Sequence, residues 1–321
     1  MGLLSNVKRS LKKGGLALYP LSVKKTVVVF IFIIITVSFV FFFYFQQQTE
    51  QSIRDSMLEQ QKQNQKDTTK AIAQHIRSDM DSIIGRLQGI SHSKQIQQGD
   101  LTSNNTKGLL KSYYLQMNSS NPVDRLLFIM DKEGIVRLNM VPEGQPTFVG
   151  GNFSHLEWVK EAKNTLSPQF SDGFVGADGK YRIAVTYPII INSSGGSNYI
   201  GLVGIVMPTV ELYGYYGNIY DIESKYLSVL DSKGVLLAHP LPSLVGKPFN
   251  GSFFQNVSAY NKVLNNLIST VVFSGKPSSA IYEFVNGERL TSGYPILLNG
   301  KTQYSAFIIT LPQQSIQKST A

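Results

Sequence analysis

Five side chains near the middle of the sequence carry its recognisable chemistry: His155, Trp158, Asp172, Arg182 and Tyr187. Trp158 is the only tryptophan in the chain. Its indole offers a flat apolar wall with one N–H donor. His155 lies three residues earlier, so the two share a face if HLEWVKEAKNT is helical. Asp172 stands before Gly173 and offers either a carboxylate to a ligand or a turn. From Tyr181 to Tyr187 a strand places Tyr181, Ile183, Val185 and Tyr187 on one face and Arg182, Ala184 and Thr186 on the other. If Arg182 points inward, it is the natural partner for an acidic ligand. Each residue also has a plain structural reading: helix-to-sheet packing for Trp158, a turn for Asp172, and solvated positions for Arg182 and His155.

His75, His92 and His239 are isolated, and no HExxH or other zinc spacing occurs. There is no GxSxG elbow and no phosphate-cradling loop. Asp131 and Asp231 look paired because they repeat, and both read as turn formers. Catalysis is not supported, and no metal or cofactor is implied.

The elements that must position these residues are duplicated. LLFIMDKEGIVRLN (126–139) resembles YLSVLDSKGVLLAH (226–239), with Asp131 and Gly134 recurring as Asp231 and Gly234. Each unit is an apolar run, an Asp-x-x-Gly turn and a second apolar run, which is a β-hairpin pattern. Tyr187-Pro188-Ile189 recurs as Tyr294-Pro295-Ile296, and GLVGIVMP, ending at Pro208, recurs as YSAFIITLP, ending at Pro312. Turns are expected at Asp178-Gly179, 193–197, Asn286-Gly287 and Asn299-Gly300. Between hairpin and later strands lie helical inserts. One puts Leu156, Val159 and Ala162 inward; the other does so with Phe254, Val257, Val263 and Leu267. The pattern predicts two α+β modules built on antiparallel sheets.

Upstream, Thr26 to Phe45 is an apolar run without charge, and about 20 residues span a bilayer's hydrocarbon. Lys8, Arg9, Lys12, Lys13, Lys24 and Lys25 precede it and no acid does, which places the N-terminus in the cytoplasm and the rest outside. These six of the 30 Lys and Arg explain most of the formal charge of +9. The remainder has 24 basic against 21 acidic residues, so the basic tail speaks for lipid headgroups and not for nucleic acid. Cysteine is absent, which excludes disulfides and thiolate chemistry. From Gln46 to about Gln98 the spacing of Ile72, Ile76, Met80, Ile83, Leu87 and Ile90 predicts one apolar stripe on a long stalk helix. EQQKQNQKD, before it, is polar all round and reads as wet. A homodimer through this helix is compatible with the pattern. Six N-x-Ser/Thr sequons start at Asn104, Asn118, Asn152, Asn192, Asn250 and Asn256, candidate glycosylation sites outside the membrane.

A membrane span, a juxtamembrane helix and two hairpin-led modules resemble the double Cache family, the paired PAS-like sensing domains of chemoreceptors and sensor kinases. LFIMDKEGIVRLN, the insert around WVKEA, YRIAVTYPI, IGLVGIV and LSVLDSKGVLLAHP followed by GKPF carry the resemblance, over roughly residues 50 to 312. It implies a basic tail (1–25), a transmembrane helix (26–45), a stalk helix (46–98), a membrane-distal module (110–213), a membrane-proximal module (224–312) and a polar tail (313–321). It also implies a small-molecule ligand in the distal module. In amino-acid-binding members an Arg-x-Trp-Tyr segment, a Tyr-x-Asp and a later aspartate grip the ligand. Here Trp158 matches, but Leu156 replaces the arginine, Val159 the tyrosine and Phe170 the second tyrosine; Asp172 keeps the acid, and the late aspartate falls near apolar Val206. A free amino acid is therefore disfavoured. Members normally continue into an output domain, whereas this chain stops at QQSIQKSTA; the expectation is a truncated product, a separate signalling partner or a solute-binding surface protein without signalling. The alternative is a surface adhesin or assembly component, for which GYYGNIY (214–220) would be an exposed aromatic patch.

Overall fold

The computed structural model describes residues 23–120, 123–193, 196–220, 225–284 and 287–310. The basic residues Lys8 to Lys13, Pro312, the 313–321 tail, Asn286 and Ser194–Gly195 of two expected turns lie outside them. The chain forms two units, Met1–Met57 and Leu58–Ala321. Helix α1, Val23–Ser91, runs through both sequences. In the first unit it is long and apolar enough to cross a membrane, and its large side chains from Val27 to Phe45 stand about half exposed or more.

In the second unit the stripe is buried. Ile72, Ile76, Met80, Leu87 and Ile90 are each fully enclosed, and Ile83 packs beside them. At about 1.5–3 kcal/mol per buried side chain, these residues contribute on the order of 10 kcal/mol. The stripe begins earlier than its apolar residues do. Gln65, within the polar stretch, and Thr69, one turn further on, are each 1 % exposed. Gln65 Nε2 donates to the carbonyls of Leu290 and Ile308 (3.0 and 2.6 Å), and its Oε1 accepts from Thr310 Oγ1 at 2.8 Å. Within EQQKQNQKD, Gln65 is thus docked, while Glu59, Gln60, Gln63, Asn64, Lys66 and Asp67 stand exposed as expected. At the far end Ser91 Oγ donates to Pro188 O at 2.9 Å. The helix stops there, earlier than 98, and is followed by a short turn, α2 (Lys94–Gln97).

A further helix, α3 (Asn104–Ser120), begins inside GDLTSNNTKG (99–108), a polar stretch whose composition reads as a break after the stalk helix. Asp100 organises its start: Oδ1 accepts from the Thr102 and Ser103 amides, and Oδ2 from the Ser103 and Thr106 hydroxyls. Those bonds, led by the one from Ser103, hold the Asp100 carboxyl down at about 2.

Two antiparallel sheets follow. The first contains β1 (Leu126–Asp131), β2 (Val136–Met140), β3 (Gln169–Phe170), β4 (Phe174–Val175), β5 (Tyr181–Ser193) and β6 (Gly196–Pro208), in the order β2-β1-β6-β5-β3 with β4 also on β5. The second contains β7 (Lys225–Asp231), β8 (Leu236–Ala238), β9 (Ser278–Phe284), β10 (Gly287–Leu298) and β11 (Lys301–Thr310), in the order β8-β7-β11-β10-β9. The orders are equivalent strand for strand, as the sequence repeat predicts. Asp131 Oδ1 accepts from the amides of Glu133 and Ile135, and Asp231 Oδ1 from those of Lys233 and Val235. The glycines between, Gly134 and Gly234, take φ of 81° and 76°, which only glycine adopts without cost. Inserts α4 (Glu157–Thr165) in the first lobe and α6 (Ser252–Val257) with α7 (Lys262–Ser274) in the second cover the outer faces. Val159, Ala162, Phe254 and Leu267 are buried there, while Val257 and Val263 stand exposed.

Each sheet therefore has one face on α1 and the other under its insert. The lobes are joined by α5 (Thr209–Ile219), which contains most of GYYGNIY. That segment is not an aromatic surface patch: Tyr216 is fully buried, with Tyr213 just before it, and Tyr216 Oη donates to Asp79 Oδ2 on α1 at 2.8 Å.

Gln65→Ala should lower stability by about 1–3 kcal/mol, since it leaves buried partners unsatisfied. Gln63→Ala, on an exposed position two residues away, should stay within about 0.5 kcal/mol. Urea unfolding of the two variants checks this; equal effects would contradict the docking of Gln65.

Candidate functional site

The alternation along β5 decides which side chains face α1 and which face the insert. Ile183, Val185 and Ile189 face α1, and Arg182, Ala184 and Thr186 face the insert. On β1 the same parity sends Leu127 and Ile129 to the helix, and Leu126, Phe128 and Met130 to the insert. Between sheet and insert lies a cavity of about 340 Å³, walled by Phe128, Met130, Phe148, Phe153, Leu156 and Trp158, with Phe174 and Val206 beyond. The Trp158 ring lies 6.1 Å from that of Phe128 and 6.3 Å from that of Phe174.

Arg182 is the charged residue buried in this wall, 4 % exposed. Its Nε and Nη2 fork onto Asp178 Oδ1 and Oδ2 at 3.1 and 2.5 Å. The Arg182 hydrogen bond holds the Asp178 carboxyl below the usual carboxylate range. The third guanidinium nitrogen, Nη1, is buried with no hydrogen-bond partner in the protein. The same is true of Trp158 Nε1 and of Asn139 Nδ2, and both residues line the same cavity.

The other sequence candidates lie elsewhere. His155 is exposed and precedes α4, whose N-cap is Leu156. Tyr187 is on the α1 side of β5, edge-on to His92 at 6.0 Å. Asp172 points at the second lobe: Oδ1 accepts from Ser232 Oγ at 2.6 Å, and Oδ2 pairs with Lys233 Nζ at 3.1 Å. Next to it Gly173 N donates to Asp231 Oδ2 (3.1 Å), and Tyr304 Oη donates to Ser171 O (2.8 Å). Residues 171–173 thus form the joint between lobes, and Phe174, one residue on, is already cavity wall. A side chain at Gly173 would meet Tyr181 and Leu237 at under 3 Å, so the joint needs glycine there. Asn139 and Asp178 were not singled out by sequence. Asp178 reads as the first residue of an Asp-Gly turn, and only its fourfold offset from Arg182 across that turn hinted at a pair.

Of the sequons, Asn104, Asn152, Asn192, Asn250 and Asn256 are exposed. Asn118 is half-buried within α3, and its Oδ1 is enclosed. Among the described residues no group of three or more His, Cys, Asp or Glu is placed to hold a metal ion.

The second lobe has a cavity in the equivalent place, about 260 Å³, where Tyr226, Ser228, Leu230, Leu236 and Arg289 take the positions of Leu126, Phe128, Met130, Val136 and Arg182. Of its polar groups, Ser228 Oγ donates to Ala238 O, Tyr282 and Thr291 share a hydrogen bond, and the Arg289 guanidinium lies over the Phe284 ring, 5.5 Å from its centroid. His239 Nδ1 accepts from the Leu241 amide, so its proton sits on Nε2. Burial pushes the His239 imidazole down to about 4.

Two sheets of this strand order, each with a cavity between sheet and insert, define a tandem PAS-like domain. The chain belongs to the Cache domain family, whose model matches residues 49–316. No curated protein matches it. Among solved structures it is similar to the periplasmic sensory domain of the Campylobacter jejuni chemoreceptor Tlp1, at 15 % identity and a TM-score of 0.58, covering 81 % of this chain and 98 % of that one. It is also similar to the ligand-binding domain of C. jejuni Tlp3 in complex with L-valine, at 18 % identity and a TM-score of 0.54, covering 80 % and 94 %. An extracellular ligand binding receptor from Desulfohalobium retbaense matches at 16 % identity and a TM-score of 0.55 over 76 % of this chain, which spans only 39 % of that receptor.

The depressed His239 gives a pH test. Above about pH 6.5 the imidazole is neutral in both folded and unfolded chains and contributes nothing. As pH falls towards about 4, the unfolded chain takes up a proton that the folded one refuses, so stability drops across that window. Urea unfolding at about pH 7 and about pH 5 should show a decline that is smaller in His239→Gln; an equal decline in both would contradict the burial of this ring.

Proposed function

We propose that this chain is a membrane-anchored sensor whose first lobe binds a small molecule in the cavity beside Trp158. Thr26 to Phe45 anchors it, with the basic N-terminus in the cytoplasm at anionic lipid and both lobes outside. Membership of the Cache family and the structural likeness to chemoreceptor sensory domains support a sensing role rather than a catalytic one. The observation that carries the reading is the continuity of wall and joint: Phe174 lines the cavity, and Asp172 and Gly173 bond the second lobe.

A ligand that draws Trp158 and Phe174 together acts on the residues that fix one lobe against the other. The output is a changed packing of the lobes on α1, where shifts of about 1–2 Å are sufficient signals. The ligand must favour one packing over the other for this to work. Either a homodimer through α1 or a separate signalling protein relays the change. The adhesin reading has less support, because in the aromatic segment it relied on Tyr216 is buried and Tyr215 and Tyr220 are half-buried. N-glycosylation, where the host performs it, falls on the five exposed sequons.

A thermal-shift screen of the full chain in detergent against metabolites should yield a ligand that raises the melting temperature with dose. Trp158→Ala should abolish that shift; an unchanged shift would move the site elsewhere. Asp172→Asn should keep ligand affinity within about threefold, a difference of less than 1 kcal/mol. It should also remove the ligand-dependent protection of residues 226–239 in hydrogen exchange. Retained protection would place the coupling outside this joint.

A further inference from the structure

The wall of the first cavity is polarised in its hydrogen-bonding capacity, and this names the ligand class. Among the lining residues, three buried polar atoms have no partner in the protein: Arg182 Nη1, Trp158 Nε1 and Asn139 Nδ2. All three are donors. The residues that present the first two are 4 % and 8 % exposed.

The acceptor oxygens of Asp178 and Asn139 already have partners. Both Asp178 oxygens receive Arg182, and Oδ1 also accepts from the Lys180 amide. Asn139 Oδ1 accepts from Thr147 Oγ1 at 2.9 Å. The remaining polar side chain on the wall is the half-buried neutral amide of Gln145. Everything else presented to the cavity is apolar, including Leu126, Phe128, Met130, Phe148, Phe153 and Val206. The equivalent cavity in the second lobe has no such orphaned atom among its lining residues. Arg289, the counterpart of Arg182, is only half-buried and lies over the Phe284 ring, so the buried orphaned donors belong to the first cavity.

A buried donor without a partner is costly, so the complement of this wall is a molecule rich in acceptors. One of the three donors belongs to a guanidinium, and a charge-assisted bond from it to an oxyanion is about twice as strong as a neutral one. An ammonium group would find a carboxylate already neutralised by Arg182 and the neutral amide of Gln145, and would otherwise lie against aromatic and aliphatic carbon.

We infer that the first cavity takes an organic monocarboxylate with an apolar body and no ammonium group. The carboxylate accepts from Arg182 Nη1, Trp158 Nε1 and Asn139 Nδ2, and the hydrocarbon body lies against the apolar wall. Asp178 serves as a positioning residue that holds the guanidinium fork. The inference rests on reading this cavity as the ligand site.

Trp158, as the only tryptophan, makes the test site-specific without labelling. Its emission in the full chain in detergent is titrated with isocaproate and hydrocinnamate. The controls are their primary amides and the matched α-amino acids leucine and phenylalanine. Both carboxylates should change the emission saturably, and the amides and amino acids should bind at least about tenfold more weakly, which is about 1.4 kcal/mol. Amides that bind as tightly as the acids would overturn the anionic assignment. Amino acids that bind as tightly or more tightly would overturn the exclusion of ammonium. A Trp158 emission insensitive to every compound would sink the ligand-site reading itself.

Arg182→Gln should bring the acid-to-amide preference close to one. Since it strands Asp178, the double variant Arg182→Gln with Asp178→Asn removes the ion pair as a unit and should give the same loss of preference. Asn139→Leu, which leaves that pair intact, should weaken the acids several-fold. An acid preference that survives both the double variant and Asn139→Leu would refute the assignment of these donors.

Discussion

The structure depends on one seam: the buried face of α1 from Gln65 to Ser91. Two sheets, neither of which buries both faces by itself, share this helix as a common floor. The seam is apolar in the middle, where Ile72, Ile76 and Met80 stack by helical turns. It is polar at its ends, where Gln65 bonds the second sheet and Ser91 the first. Apolar burial supplies the free energy and is tolerant of sliding. The terminal hydrogen bonds are directional and fix where along the helix each sheet sits. A floor made in this way is both strong and indexed.

Once one face of each sheet is committed to the helix, strand parity settles the rest. Side chains alternate, so a residue next to one that faces α1 must face the insert. Ile183 goes to the floor and Arg182 to the cavity for the same reason. The cavity is thus a by-product of the seam: the insert α4 is a single short helix and cannot fill the curved outer face alone. What the lobes have made of the space differs. In the second lobe the hydroxyls satisfy one another, whereas in the first the donors face inward without partners.

Much of this was legible in the residues. The duplicated hairpins announced two equivalent sheets because Asp-x-x-Gly fixes a turn by local chemistry that no tertiary context overrides. The stripe from Ile72 to Ile90 was legible because it is periodic. Gln65 was not, because a buried glutamine looks like its exposed neighbours until its carbonyl partners, more than 200 positions away, are known. Helix α3 was hidden by its own cap: Asp100 and Ser103 read as loop formers, and here they start a helix. The site was half visible. Trp158 and Arg182 are on its wall, but Asp172 reads equally as a ligand contact or a turn, because a carboxylate near an indole is ambiguous in one dimension. Its partner, Lys233, lies in the other lobe.

The divergence of the twin aspartates has an architectural consequence. Both spend one oxygen on their own turn. Asp131 gives the other to Arg137, within its lobe, whereas Asp231 gives it to the backbone of Gly173. The copies are therefore alike in shape but not interchangeable. A chimaera that stacked two first lobes would lack the acceptor that receives its neighbour, and a second lobe cut loose would bare Tyr304 and leave its hydroxyl without Ser171. Duplication supplied a spare bonding valence, and its capture turned two modules into one inseparable body.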